Sequence, residues 1–246
     1  MNHFFVKPSQ VEGKEINIFM PDVKHIAHVL RMREGEELSV SDETFFYLCQ
    51  IKEIEKERVS CVILEKKEID TEAGAEFVLF QGLPKGDKMD LIVQKAVELG
   101  VAKIIPLKTR RAVVRLDEKK AKKKQNRWQE IAKGAAKQSK RGYIPEVLEP
   151  MSFKEGINYA QALDRNLVPY EEATDIEETK EVFRSLVRGQ KIGIFIGPEG
   201  GFEEEEIEML KEIHGEVITL GKRILRTETA GLMVLSVLMF SLEGEA

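Results

Sequence analysis

Cysteine is scarce in this chain: Cys49 and Cys61 are the only two in 246 residues. That excludes a disulfide scaffold and a cysteine-rich zinc framework. Four histidines (His3, His25, His28, His214) leave little for a histidine cluster, and no spaced His/Asp/Glu ligand set appears. No metal is expected. Long apolar runs are missing too. The longest, residues 230–240, is broken by Gly231 and Ser236, well short of the roughly 18 to 20 residues of a membrane span. The start, Met1-Asn2-His3-Phe4-Phe5-Val6-Lys7-Pro8, has neither the basic opening nor the apolar stretch of a secretory leader. A soluble, cytoplasmic protein with no membrane partner is the expectation. Hydrophobic residues still make up 42% of the chain, enough for a real core and too many for wholesale disorder.

Charge is unevenly placed. The whole chain carries 38 basic and 43 acidic side chains, but residues 103–141 hold 15 basic and 3 acidic ones. An acidic protein that gathers its cations in one segment resembles a polyanion binder. The lysine run 119–124 alone reads as a solvated helix face. The interleaved Arg110, Arg111, Arg115, Arg127 and Arg141 favour phosphate, because guanidinium offers a fixed fork of donors.

Residues 1–68 read as strands by their period of two, around 3–6, 15–19, 37–41 and 58–64. One helix interrupts them, with Asp22 as its cap and Val23, Ile26, Ala27 and Leu30 as its stripe. A small β-barrel is expected, followed by a polar linker at 69–75. From Glu76 strands alternate with helices. Strands are expected at 77–80, 102–107, 162–168, 191–196 and 217–220. Helices are expected after Asp87, at 119–139, 177–188, 203–213 and 228–242. That alternation predicts an α/β domain over 76–246 with a mainly parallel sheet. The last helix is apolar almost all round and should be buried on every side, in the core or against another subunit.

Chemistry belongs beyond the carboxyl ends of such strands. Two glycine loops stand there. Ile196-Gly197-Pro198-Glu199-Gly200-Gly201-Phe202 precedes a helix whose first turn is Glu203-Glu204-Glu205-Glu206. Four carboxylates at a helix N-terminus oppose a pyrophosphate. The dinucleotide and Walker spacings are absent. A neutral or cationic ligand fits better. The second loop is Leu220-Gly221-Lys222-Arg223-Ile224-Leu225-Arg226-Thr227-Glu228-Thr229-Ala230, with Thr227 as a candidate N-cap.

These two loops closely resemble the SPOUT methyltransferases, and among them the RsmE family, which methylates N3 of a uridine in 16S ribosomal RNA. Residues 25–35, 85–100 and 131–141 resemble the same family, so the likeness runs along nearly the whole chain. Relatives often place an arginine where His3 stands. The resemblance implies an N-terminal PUA-like β-barrel, then a SPOUT α/β domain with a C-terminal trefoil knot at about 191–246. It also implies a homodimer, S-adenosylmethionine as methyl donor, and the small ribosomal subunit as partner. Ile196, Gly197, Gly201, Leu220, Gly221, Ile224, Leu225, Thr229 and Ala230 should form the cofactor pocket, with residues 167–171 as a wall. Arg226 is the candidate to stabilise a uracil anion, and Glu228 or Glu199 to accept its proton. Arg31, Arg33, Arg110, Arg111, Arg115, Arg127, Lys137, Lys140 and Arg141 are the candidate RNA contacts. The rival readings are a SPOUT ribose 2′-O-methyltransferase and a non-catalytic RNA-binding or ribosome-assembly protein.

Overall fold

The computed structural model describes residues 1–243. The last three residues of the expected second domain, 244–246, lie outside the described residues. Two compact units emerge. The first comprises residues 1–72 and 136–144, the second 73–135 and the chain from 145 onward. Residues 136–144 therefore join the first unit, although the sequence order places them inside the expected second domain.

The first unit is built on strands β1 (His3–Phe5), β2 (Val11–Glu12), β3 (Glu15–Phe19), β4 (Glu37–Ser41), β5 (Phe45–Ile54) and β6 (Arg58–Glu68). They form one curled sheet in the order β1-β4-β5-β6-β3-β2. Pairing is antiparallel except between β1 and β4. Two register shifts bend β5 against β6, one at Leu48/Cys49 and one at Ile51/Glu53. The period of two does its expected work: Ile16 and Ile18 are buried while Glu15 and Asn17 are half-buried on the other face. They join Phe4, Leu38, Val40, Ile51 and Val59 in the core. Cys49 and Cys61 are buried there, and burial pushes both thiols up to about 12. Strand β5, longer than anything expected at 45–54, was obscured in sequence by its apolar start and charged end.

Helix α1 (Asp22–Lys24) runs on into a π-helical turn (His25–Val29), and Asp22 is its first residue rather than its cap. The Asp22 carboxylate instead takes the Lys137 ammonium at 2.7 Å, and that ammonium lies 4.7 Å from the Phe4 ring centroid.

The second unit contains strands β7 (Glu76–Gly82), β8 (Val101–Lys108), β9 (Glu146–Val147), β10 (Met151–Ser152), β11 (Arg165–Pro169), β12 (Lys191–Ile196) and β13 (Glu216–Ile218). Its helices are α2 (Lys88–Glu98), the part of α3 (Glu118–Ser139) up to residue 135, α4 (Phe153–Ala160), α5 (Ile176–Ser185), α6 (Glu204–Glu212) and α7 (Thr227–Leu242). The order is β10-β8-β7-β12-β11-β13, with β9 beside β8. Every pairing is parallel. Strands β7 and β12 are almost wholly buried, as a sheet covered on both faces requires. Phe80 and Phe195 stack across them, 4.2 Å between centroids. Helix α2 buries Met89, Ile92, Val93, Ala96 and Val97, the face its periodicity predicts.

Two expectations need correction, and the last helix is a further case. Strand β11 starts at Arg165, not 162, because residues 161–164 form a turn. Helix α4 was not foreseen, though its signal was present: Ser152 and Glu155 form a reciprocal capping box. Helix α7 is buried on one side only. Phe240 is 84% exposed and Met233 40%, beside the exposed Leu91 of α2. The expected cover of this last helix is the core or another subunit, and in one copy of the chain the core covers its other face.

His3 is buried between Ser39 and Ser41, with Nδ1 3.0 Å from the Ser39 Oγ and Nε2 3.1 Å from the Ser41 Oγ. Burial, reinforced by the nearby Lys137 and Lys140 charges, pushes its pKa down to about 4. Between pH 6.5 and 4 the unfolded chain takes up a proton there that the folded chain refuses. Stability is therefore fully present above that window and lost as pH falls through it, by up to about 3 kcal/mol. Urea unfolding of the first unit's core should show this acid loss, and His3→Gln should flatten it.

Candidate functional site

Because all seven strands of the second unit run parallel, the loops after β7, β11, β12 and β13 leave on one side of the sheet. A cavity of about 820 Å³ opens there. Its lining comes from the start of α2 (Lys88), the segment after β11 (Pro169, Tyr170, Glu171, Ala173, Thr174, Ile176), the loop after β12, and residues 219–227 with Ala230.

The loop after β12 is held by backbone fit. Gly201 has φ +69, and its amide donates to the Pro198 carbonyl at 2.9 Å. A Cβ on Gly197 would stand 3.0 Å from the Gly201 backbone, and one on Gly82 of β7 would stand 2.6 Å from the Pro198 nitrogen. Phe202 is buried against Phe153 and anchors the far end of the loop.

The second loop turns at Gly221, φ +99. Ile224 is 91% exposed at the cavity lip. Arg226, not Thr227, occupies the N-cap position of α7. Thr227 has a different task. Its hydroxyl accepts from the Gln81 amide at 2.8 Å and donates to the Gly197 carbonyl at 2.6 Å. It ties the ends of β7 and β12 to the first turn of α7.

Eight of the nine expected pocket residues line the cavity: Ile196, Gly197, Gly201, Leu220, Gly221, Ile224, Leu225 and Ala230. Thr229 does not; it is exposed, and Thr227 lines the wall in its place. Of the expected wall, Pro169, Tyr170 and Glu171 line the cavity, whereas Leu167 and Val168 are core. Arg226 and Glu199 are lining residues. Glu228 reaches the site only through Lys88.

Lys88 escaped the sequence reading. Its ammonium lies 2.8 Å from Glu199 Oε1 and 3.4 Å from Glu228 Oε2. The Glu199 bond leads in raising the Lys88 pKa. For Glu199, burial pushes the carboxyl up, but bonds from Lys88 and from backbone amides outweigh it and hold the group below its ordinary range. Glu199 is thus an ion-paired strut, whereas Glu228 Oε2 is buried without a hydrogen bond. Position gave the one available signal for Lys88: it opens the helix after β7, at a strand's carboxyl end.

The basic segment is less free than its composition suggests. Arg141 is 2% exposed, and its guanidinium grips Glu72, with Nε 2.8 Å and Nη2 2.6 Å from Oε2. Arg127 pairs with Asp90, Arg110 with Glu205, Arg111 with Glu203 and Lys137 with Asp22. Arg141 is buried and Lys137 half-buried in these links, whereas Arg110, Arg111 and Arg127 stay exposed beside their ion pairs. Arg31, Arg33, Arg115 and Lys140 are exposed and have no ion-pair partner among the described residues. Arg31 and Lys140 also take left-handed backbone, φ +55 and +56, each ending a helix where glycine is more usual. No group of three potential metal ligands occurs among the described residues, and none of their helices is long and apolar enough to cross a membrane.

Comparison with known proteins places this geometry. An RNA methyltransferase domain family matches residues 71–239, and an RNA methyltransferase PUA domain family matches residues 21–64. The chain is 39% identical to ribosomal RNA small subunit methyltransferase E of Bacillus subtilis, over 99% of this chain and 98% of that protein. It is 30% identical to the Aquifex aeolicus protein of the same name, over 89% and 91%. A crystal structure of ribosomal RNA small subunit methyltransferase E from Neisseria gonorrhoeae, bound to S-adenosyl methionine, superposes with a TM-score of 0.82. It shares 31% identity and covers 98% of this chain and 97% of that one.

Thr227→Val should cost about 1 to 3 kcal/mol by removing a buried hydroxyl from between two polar partners, while Thr227→Ser stays near wild type. Urea unfolding of the full chain checks both.

Proposed function

The chain belongs to the ribosomal RNA small subunit methyltransferase E family, and from that premise we propose that it methylates N3 of a uridine in 16S ribosomal RNA. The observation that carries this reading is the cavity itself. Glycine backbone at Gly197 and Gly201 leaves a cradle that any Cβ would crowd. Ile196, Leu220, Ile224, Leu225 and Ala230 supply apolar wall. The carboxylate of Glu171 offers a partner to a ligand that bears positive charge, in a lining that also holds Lys88, Glu199, Lys222, Arg223 and Arg226. These residues fit S-adenosylmethionine and would hold it. When bound, that cofactor supplies an electrophilic methyl group on a sulfonium.

The chain's own residues must do the rest. Uracil N3 carries a proton and sits in a paired or stacked base, so the nucleotide has to be splayed into the cavity. Arg226, lining the cavity and exposed, stabilises the negative charge that develops on the ring oxygens. Glu228, whose Oε2 is held by the Lys88 ammonium 3.4 Å away, accepts the N3 proton. The loops fix the base against the donor, which supplies much of the rate.

The same reading covers the architecture. The first unit acts as a PUA-like barrel domain. Strand β13 lies at the sheet edge, yet α7 packs on α2, β7 and β12. That return of the chain supports a trefoil knot over about 191–246, against the usual rule of un-knotted connections. The open apolar face of Leu91, Met233 and Phe240 supports a homodimer through α2 and α7. Arg31, Arg33, Arg115 and Lys140 are the phosphate contacts to the small subunit, and a ribosomal substrate favours a cytoplasmic location.

The test is nucleoside mass analysis after incubating the protein with small ribosomal subunits and labelled S-adenosylmethionine. Label in 3-methyluridine is expected, and label in a 2′-O-methyl nucleoside overturns the assignment. Arg226→Ala should lower turnover about 100-fold or more with cofactor affinity little changed. Phe240→Glu should shift sedimentation from dimer to monomer.

A further inference from the structure

Arg111 is fastened by the glycine loop. It follows β8 on a tight turn whose flanks, Thr109 and Ala112, are buried. Its Nη1 donates to the Gly200 carbonyl at 2.9 Å. Its Nε and Nη2 lie 2.9 and 3.1 Å from the two oxygens of Glu203. All three guanidinium nitrogens are thus engaged by one short stretch, residues 200–203, with three of the five N–H donors directed there.

The surroundings repeat the pattern. A Cβ on Gly200 would stand 3.2 Å from the Arg111 Cβ, so the loop lies flat against this side chain. On the opposite side, a Cβ on Gly201 would stand 3.2 Å from a Glu171 oxygen. The neighbouring backbone joins in: the Arg110 amide donates at 2.9 Å to the buried Glu206, whose other oxygen caps Glu203 at 2.9 Å. The four glutamates that open α6 therefore include the receptors for the arginine pair.

We propose that Arg111 is a positioning residue that holds residues 197–202 in the shape that receives the methyl donor, and that it does not contact RNA phosphate. This rests on the cavity being the donor site. A guanidinium is required, because a planar fork satisfies a carboxylate and a carbonyl together while an ammonium is a point charge. A phosphate contact would behave differently. There lysine substitutes tolerably, and losing the residue lowers the salt slope of RNA binding by roughly one counterion.

The experiment uses the full-length chain in three variants: Arg111→Ala, Arg111→Lys and Gly200→Ala. S-adenosylmethionine binding is measured by calorimetry, and RNA binding with purified small subunits across a salt series. Each variant is checked for native thermal unfolding; Gly200→Ala disturbs the same clamp from the loop side if an arginine variant does not fold. The expected result is about a tenfold or greater loss of donor affinity in every folded variant, lysine included, with the salt slope unchanged. Wild-type donor affinity in either folded arginine variant overturns the proposal. So does a reduced salt slope, whichever way donor affinity moves. Failure of the wild-type chain to bind the donor would instead overturn the reading of the cavity, which separates the two claims.

Discussion

A single hydroxyl joins the parts of the site. Thr227 Oγ1 lies between the Gln81 amide and the Gly197 carbonyl, groups 146 and 30 residues away along the chain. One atom thereby links the ends of β7 and β12 and the start of α7. Both loop conformations depend on that meeting. Gly82 passes the Pro198 backbone at a distance no side chain would permit, and Arg226 is delivered to the cavity wall one residue before the hydroxyl. Parallel strands bring the loops to one side, and the buried hydroxyl sets their spacing. Such a bond is strong because the groups it satisfies have no water to turn to.

Around that centre the charges divide by purpose. At the cavity Lys88 stands between two carboxylates that would otherwise repel each other. The basic segment does comparable work in the framework. Five of its candidate contacts are committed to Glu72, Asp90, Glu203, Glu205 or Asp22. Composition located a cationic region correctly but could not separate cations that face solvent from those that cross-link the fold. Most of the lysines and arginines of the segment still reach solvent, and Arg141 does not.

Much of the second unit was legible in sequence because its signals are local. The face of α2, the bounds of β12 and eight of nine cavity residues follow from periodicity, glycine placement and the family likeness. What stayed hidden is what distance in sequence conceals. Asp22 and Thr227 carry side chains typical of helix caps, and each is drawn instead to a partner from another segment. Lys88 looked like an ordinary helix residue until two glutamates converged on it. Arg141 looked like its exposed neighbours, yet burial against Glu72 makes it the least accessible of them. Helix α4 was missed for another reason: its capping box was present, but its eight residues give too short a run for periodicity to stand out.

The two cysteines acquire a meaning in this setting. A sulfonium methyl group reacts most readily with soft sulfur anions, so any thiolate nearby is a competing acceptor. Cys49 and Cys61 lie sealed among aliphatic side chains in the first unit's core and stay protonated well above neutral pH. The protein can therefore carry an alkylating agent through many cycles while offering it no thiolate of its own to modify.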